Sequence, residues 1–233
     1  MSGPPTEEKP RSFKDRTIDL LKQFWRTDRF EVAIIREMLV SVVVVLLIVA
    51  ILFGLSGVWP PLVAVESDSM ENQIMTGDMV FIVESDRYAH PDAQSESGVM
   101  PADEAELFDY ERFDRHGDVI IFAPNGDRDR TPIIHRAHLW VEEGEDWFDR
   151  ADQNLIRDAE NCSELEQCPA PNEGFITHGD NNAFYDQIQE NSAPVKADWV
   201  IARAHLRIPV IGRIRLLFDD MFAVATPGIF SLL

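Results

Sequence analysis

Ser69 lies in the run Glu66-Ser67-Asp68-Ser69-Met70, a few residues past a long stretch that carries no ionisable side chain. A serine hydroxyl is a weak nucleophile until a neighbouring base takes its proton. Beyond residue 60 the chain offers two kinds of base. The first is Lys196, in the polar run 193–198, which reads as a solvated loop. The second is histidine, at positions 90, 116, 135, 138, 178 and 205. His135 is the best placed. In Thr131-Pro132-Ile133-Ile134-His135-Arg136, strand alternation puts Ile133 and His135 on one face and Ile134 and Arg136 on the other. A single imidazole on an apolar strand is a platform for a positioned base. An imidazole base also needs a carboxylate on its other ring nitrogen. The run 177–186, THGDNNAFYD, supplies Asp180 and Asp186. The plainer readings are a hydrogen-bonded structural histidine and a polar turn. Calcium is a poor fit to 177–186, because the spacing of oxygen ligands is wrong.

The segment before Ser69 sets its location. Residues 38–65 hold no charge, and 40–59 meets the length of about 20 apolar residues that crosses a bilayer. Pro60-Pro61 is expected to end that helix. Eight Lys/Arg occur in residues 1–37 and none between Pro60 and Asp86. The positive-inside tendency then puts the N-terminus in the cytoplasm and everything past Pro60 outside. A cleavable signal peptide fits less well, since the apolar run is too long and the basic leader runs to residue 37. From Trp59, the ten residues to Ser69 reach at most about 35 Å. Residues 12–36 alternate apolar and charged side chains at helical spacing. They suit a surface-lying amphipathic helix or an extension of the span equally. Residues 221–233 are apolar but short for a second span and read as a strand or interfacial segment.

Past residue 60, 34 acidic residues face 13 basic ones. Such a domain repels nucleic acid, which excludes that class of partner. Four lysines in the whole chain and a strongly acidic surface fit a salt-loving archaeon. Cys162 and Cys168 are the two cysteines. Outside the cell they are free to pair, and closing so short a loop would stabilise by less than the roughly 3 kcal/mol of a 15-residue loop. Two cysteines without a nearby histidine do not make a zinc site. No cofactor or metal is expected.

Short apolar runs at 62–65, 79–83, 119–122, 133–140, 174–177, 199–204 and 206–217 read as strands. Polar stretches at about 84–115 and 142–172 read as surface insertions. The expected architecture is a mainly β domain over 61–233, behind a cytoplasmic segment (1–37) and one transmembrane helix (38–60).

In order, these blocks resemble type I signal peptidases of the archaeal and endoplasmic-reticulum branch, which use Ser-His-Asp rather than Ser-Lys. Ser67-Asp68-Ser69-Met70 with Thr76-Gly77-Asp78 is similar to the nucleophile box. Gly117-Asp118-Val119-Ile120-Ile121-Phe122 is similar to the next block, and Ile133-Ile134-His135-Arg136 to the base box. Gly179-Asp180-Asn181-Asn182 with Asp186 is similar to the last. The resemblance covers roughly 40–83, 117–140 and 174–217. It implies Ser69 as nucleophile, His135 as general base and Asp186 as orienting acid, with Asp180 a second carboxylate of the site. Ser67, Met70, Val65 and Ile133 would serve the oxyanion and the substrate. The chain departs from the pattern at Asp68, where glycine is common. Asn72 stands where proline often follows, and His178 where lysine is usual. The implied function is removal of signal peptides from secreted preproteins at the cell membrane. The implied partners are signal peptides, lipid and the translocation machinery. The competing reading is a non-catalytic accessory or structural β module on a membrane anchor.

Overall fold

A computed structural model describes residues 13–26, 29–94 and 97–209. It divides into two compact units, Met1–Leu52 and Phe53–Leu233. The first carries α1 (Phe13–Arg26) and most of α2 (Phe30–Ser56). Arg36 of α2 donates from Nη1 to the Trp25 carbonyl at 3.1 Å, satisfying a group that the end of α1 leaves open. α2 is long and apolar enough to cross a membrane, with a mean hydropathy of 3.2 over its best window. Its 27 residues correspond to about 40 Å of helix, more than the hydrocarbon thickness. The helix stops before the expected Pro60-Pro61. Gly57 adopts φ 79°, and its N–H donates to the Phe53 carbonyl at 2.8 Å. Glycine takes this left-handed turn without the Cβ cost other residues bear, so it ends the helix first.

The second unit is built on an antiparallel six-stranded sheet, among its described residues. Its strands are β1 (Leu62–Ala64), β2 (Met79–Val83), β5 (Val119–Phe122), β6 (Ile133–Val141), β7 (Gly174–His178) and β8 (Val200–Ile208), in the order β1-β2-β8-β5-β6-β7. β3 (Glu111–Arg112) and β4 (Arg115–His116) form a separate hairpin. The two runs expected at 199–204 and 206–217 are one strand, β8. His205 is an extra residue between the pairs Ile82–Ala204 and Phe81–Leu206, a bulge that breaks the period-two pattern. The remainder of the expected 206–217 strand, from residue 210, lies outside the described residues, as do 1–12 and the apolar segment 221–233.

One core cluster joins Val65, Met70 and Ile74 to β2, β5 and β8. A second gathers Ile120, Phe122, Phe175 and Val195. The third was not expected. The 142–172 stretch, read as a polar excursion, buries Trp147, Ile156 and Leu165 against Leu139, Ile176 and Tyr185. Its apolar residues are too widely spaced to form a strand or helix period, which hides a core from pattern reading. The 84–115 stretch likewise holds the short helix α3 (Ala102–Ala105) and the β3–β4 hairpin.

A buried ion pair ties the sheet centre to this second stretch. Asp118 accepts from Arg203 Nη1 at 2.8 Å, from the Met100 N–H at 2.9 Å and from the Tyr110 hydroxyl at 2.9 Å. Both partners are sealed from solvent. Removing one partner of such a pair strands a charge. Asp118→Ala should therefore cost about 3–5 kcal/mol in denaturant unfolding followed by tryptophan fluorescence, with Arg203 left unpaired.

Candidate active site

β6 and β7 create the first part of the site. They pair through Arg136–His178 and Ala137–Thr177, and β7 ends there. His135 sits one residue beyond the last pair and is buried at 5 % exposure. Its Nδ1 lies 2.7 Å from Asp186 Oδ2. A carboxylate accepts and an imidazole nitrogen bonded to it must donate, so Nδ1 carries the proton and Nε2 presents a lone pair. Asp186 is fully buried. Its Oδ2 also accepts from Thr177 Oγ1 at 2.7 Å, and its Oδ1 from Asn191 Nδ2 at 3.2 Å. Asp186 thus has a hydrogen-bond donor on each oxygen, as a buried carboxyl needs.

The nucleophile candidate arrives from the other end of the sheet. Ser69 follows β1, the opposite edge strand, yet its carbonyl accepts the Asn181 N–H at 2.8 Å. Asn181 Nδ2 also donates to the Asp68 carbonyl at 3.1 Å. Gly179 stands at the junction. The point its Cβ would occupy is 2.7 Å from His135 Nε2, 2.7 Å from the Ser69 carbonyl oxygen and 2.8 Å from Asn182 Nδ2. The lone pair of His135 and the backbone of Ser69 therefore meet over a residue that must lack a side chain. Ser69 Oγ itself is 3.1 Å from Ser67 Oγ.

The two carboxylates that the sequence left unresolved have separate jobs. Asp180 takes a two-pronged contact from the buried Arg136, Nε to Oδ1 at 2.9 Å and Nη2 to Oδ2 at 2.7 Å. The third nitrogen, Nη1, donates to the carbonyls of Gly117 at 2.7 Å and Arg112 at 2.9 Å. The Asp180 N–H meets Met70 Sδ at 3.4 Å. Asp180 thus anchors the 179–182 turn, and Asp186 alone faces the imidazole.

Other sequence candidates fall elsewhere. Met70 is wholly buried and packs the core beneath Ser69 rather than lining a surface. Val65 is 2 % exposed, and its N–H and carbonyl are taken by Asp78 and Gly77, so it has no free backbone for a peptide. Its place is better filled by Leu62 and Ala64. The Val65 bond to Asp78 and the Pro61 carbonyl bond to Ile82 fix the alternation, which turns Leu62 and Ala64 to the open edge of β1. Ile133 is half-buried on β6, but the Ala137 N–H bond to the Asp118 carbonyl fixes the alternation there, which turns the Ile133 backbone to β5 and that of Ile134, past the last pairing with β7, to the open edge. Lys196 Nζ lies over the Trp199 ring, 5.6 Å from its centroid. Sequence reading missed Thr177, Asn191, Arg136 and Gly179. The glycine was legible as a turn, but no pattern marks which polar neighbours will touch a carboxylate.

A cavity of about 510 Å³ lies behind the clamp, lined by Arg136, Asp180, His138, Tyr185, Asp152 and His116 among others, and not by Ser69, His135 or Asp186. Two groups of donor atoms lie close enough to suit a metal among the described residues. Asp146, Cys162 and Cys168 form one, but its sulfurs are joined in a disulfide. Asp109, Glu111 and His116 form the other, with both carboxylates exposed. Neither touches the site above. No protein-family model and no curated protein matches the chain.

Next to the site, His138, His178 and Tyr185 stack edge to face at 5.2–5.7 Å between ring centroids. Burial pushes His138 down to about 3, with His178 and Arg136 adding to the effect. Burial lowers His178 as well, although its Nε2 donates to the Asn182 carbonyl at 3.0 Å. Burial drives the Tyr185 hydroxyl up to about 12. For both imidazoles the folded value is below the unfolded one near 6.5, so on acidification the unfolded chain takes up protons first. Their contribution is intact above about pH 6.5 and erodes as pH falls toward 3. His138→Phe keeps a ring and removes one titration. Its melting temperature should decline less between pH 7 and 5 than that of the wild type in parallel thermal scans.

Proposed function

We propose that this chain is a membrane-anchored serine endopeptidase that removes signal peptides from preproteins, a type I signal peptidase of the Ser-His-Asp kind. The observation that carries the reading is the 2.7 Å contact of His135 Nδ1 with buried Asp186, with Nε2 turned to the Ser69 backbone across Gly179. The Ser69 backbone, the His135 ring and the Asp186 carboxylate, far apart in sequence, lie near one another, and acyl transfer by a serine hydroxyl needs such a pair beside it.

The chemistry runs as follows. Ser69 Oγ, 3.1 Å from Ser67 Oγ, turns from that partner toward His135. Catalytic hydrogen bonds are often loose before substrate binds. His135 Nε2 takes the hydroxyl proton as Oγ bonds to the scissile carbonyl carbon. The imidazolium so formed is stabilised by Asp186 and then protonates the leaving amine as the C–N bond breaks. Water, deprotonated by His135, releases the acyl group. Ser67, whose hydroxyl is freed by that rotation, donates with the Ser69 N–H to the developing oxyanion. One such donor is typically worth about 2.7–4 kcal/mol.

The substrate is an extended peptide. The open edges of β1 at Leu62 and Ala64 and of β6 at Ile134 offer backbone for strand addition, with small side chains in the shallow space between. An apolar α2 keeps the enzyme in the membrane with preproteins leaving the translocation machinery. The basic N-terminal stretch puts that end in the cytoplasm. The accessory-module reading differs at one point, since it makes Ser69 dispensable.

Ser69→Ala and His135→Ala should each reduce cleavage of a preprotein in vesicles containing the full chain by at least about 10³-fold. Gly179→Ala should do the same by wedging a methyl group between His135 and Ser69. Retained cleavage in Ser69→Ala would favour the accessory module instead.

A further inference from the structure

Asp186 sits in a segment without regular structure, eight residues past the end of β7. A carboxylate on a loop keeps its aim only if the loop is held from outside. On one side the sheet does this through Thr177 and through Gln187, whose Oε1 accepts the Thr177 N–H at 3.0 Å. On the other side the hold comes from the 142–172 insertion and passes through Tyr185. That residue is 1 % exposed. Its N–H donates to the Leu155 carbonyl at 3.2 Å, and its hydroxyl accepts the Asp152 N–H at 3.1 Å. Trp147 stands edge-on to its ring, with centroids 5.9 Å apart. Trp147 in turn donates from Nε1 to the Gln167 carbonyl at 2.9 Å. Gln167 lies inside the small loop closed by the Cys162–Cys168 disulfide. The described insertion holds single 3₁₀ turns and no longer helix or strand, so covalent closure and side-chain packing must fix it.

We infer that the insertion is a buttress for the catalytic acid. The disulfide-closed loop fixes Trp147, Trp147 fixes Tyr185, and Tyr185 acts as a positioning residue that keeps Asp186 aligned with His135. This rests on the peptidase reading and adds a dependence of that site on thiol state. A dithiol reductant delivers two electrons and two protons to the Sγ–Sγ bond, yielding two cysteine thiols, and is itself oxidised to a disulfide. An oxidised dithiol reverses the exchange.

The test uses the full chain in lipid vesicles, in three forms: oxidised wild type, reduced wild type, and oxidised Trp147→Phe, which keeps a ring but loses the donor to Gln167. Two quantities are read. One is kcat and KM for a preprotein, and the other is the low-field proton resonance of the His135 Nδ1–H. Reduction and Trp147→Phe should each lower kcat by about tenfold at unchanged KM, since a misaligned acid weakens the transition state rather than substrate binding. The resonance should broaden or vanish in step, and reoxidation should restore both in the reduced wild type. An unchanged resonance in both altered forms overturns the inference, whatever happens to cleavage. A resonance that responds while no form cleaves preprotein upholds the buttress and rejects the peptidase reading. Should Trp147→Phe not fold, the reduced wild type alone decides.

Discussion

The hydrogen bond from the Asn181 amide to the Ser69 carbonyl joins the two ends of one sheet. Ser69 follows β1 and Asn181 follows β7, and these are the two edge strands. An open sheet would keep them several strand spacings apart, at roughly 4.8 Å per step. The segment after β1 crosses the sheet, with Met70 and Ile74 packed in one core with β2, β5 and β8, and so reaches the loop after β7. Everything else at the site presupposes that meeting. Gly179 is where it is tightest, and the absence of a side chain there lets Ser69 and His135 share one space.

Charge is then distributed to keep each group in its own role. Two acids lie six residues apart on one loop, and either could have faced the imidazole. Arg136 removes the ambiguity by binding Asp180 with two nitrogens while its third is spent on carbonyls of the 112–117 hairpin region. A planar guanidinium does this where an ammonium would not, because its donors are fixed in a fork. Asp186 is left with neutral donors and His135. The β3–β4 hairpin and the 142–172 insertion thereby both contact the 179–186 loop, through Arg136 and Tyr185, though neither supplies a candidate catalytic group.

Packing follows the same logic. The core under β1, β2, β5 and β8 holds Met70 directly behind Ser69, so the candidate nucleophile stands on a buried foundation. The insertion brings a core of its own, and its Tyr185 belongs at once to that core and to the ring cluster with His138 and His178. Rings kept neutral by burial can pack edge to face without the repulsion of two imidazolium charges.

The one-dimensional pattern determined a good deal. Uninterrupted apolar composition specified α2 from residue 38 onward but not its charged start at Phe30. Short apolar runs between turn residues placed β2, β5, β6 and β7 within a residue or so, because buried strands read as apolar stretches. Ser69, His135, Asp180 and Asp186 stood out as chemistry-bearing types in short polar runs beside strands. What the sequence could not decide was which of those groups would meet. The crossing of the sheet by the segment after β1, the bulges and the Arg136 clamp depend on contacts between residues tens of positions apart, and such contacts have no period. The same reason hid the insertion's core around Trp147. Only the folded chain, by bringing the segments after β1 and β7 together, selected Asp186 over Asp180 and put Gly179 between Ser69 and His135.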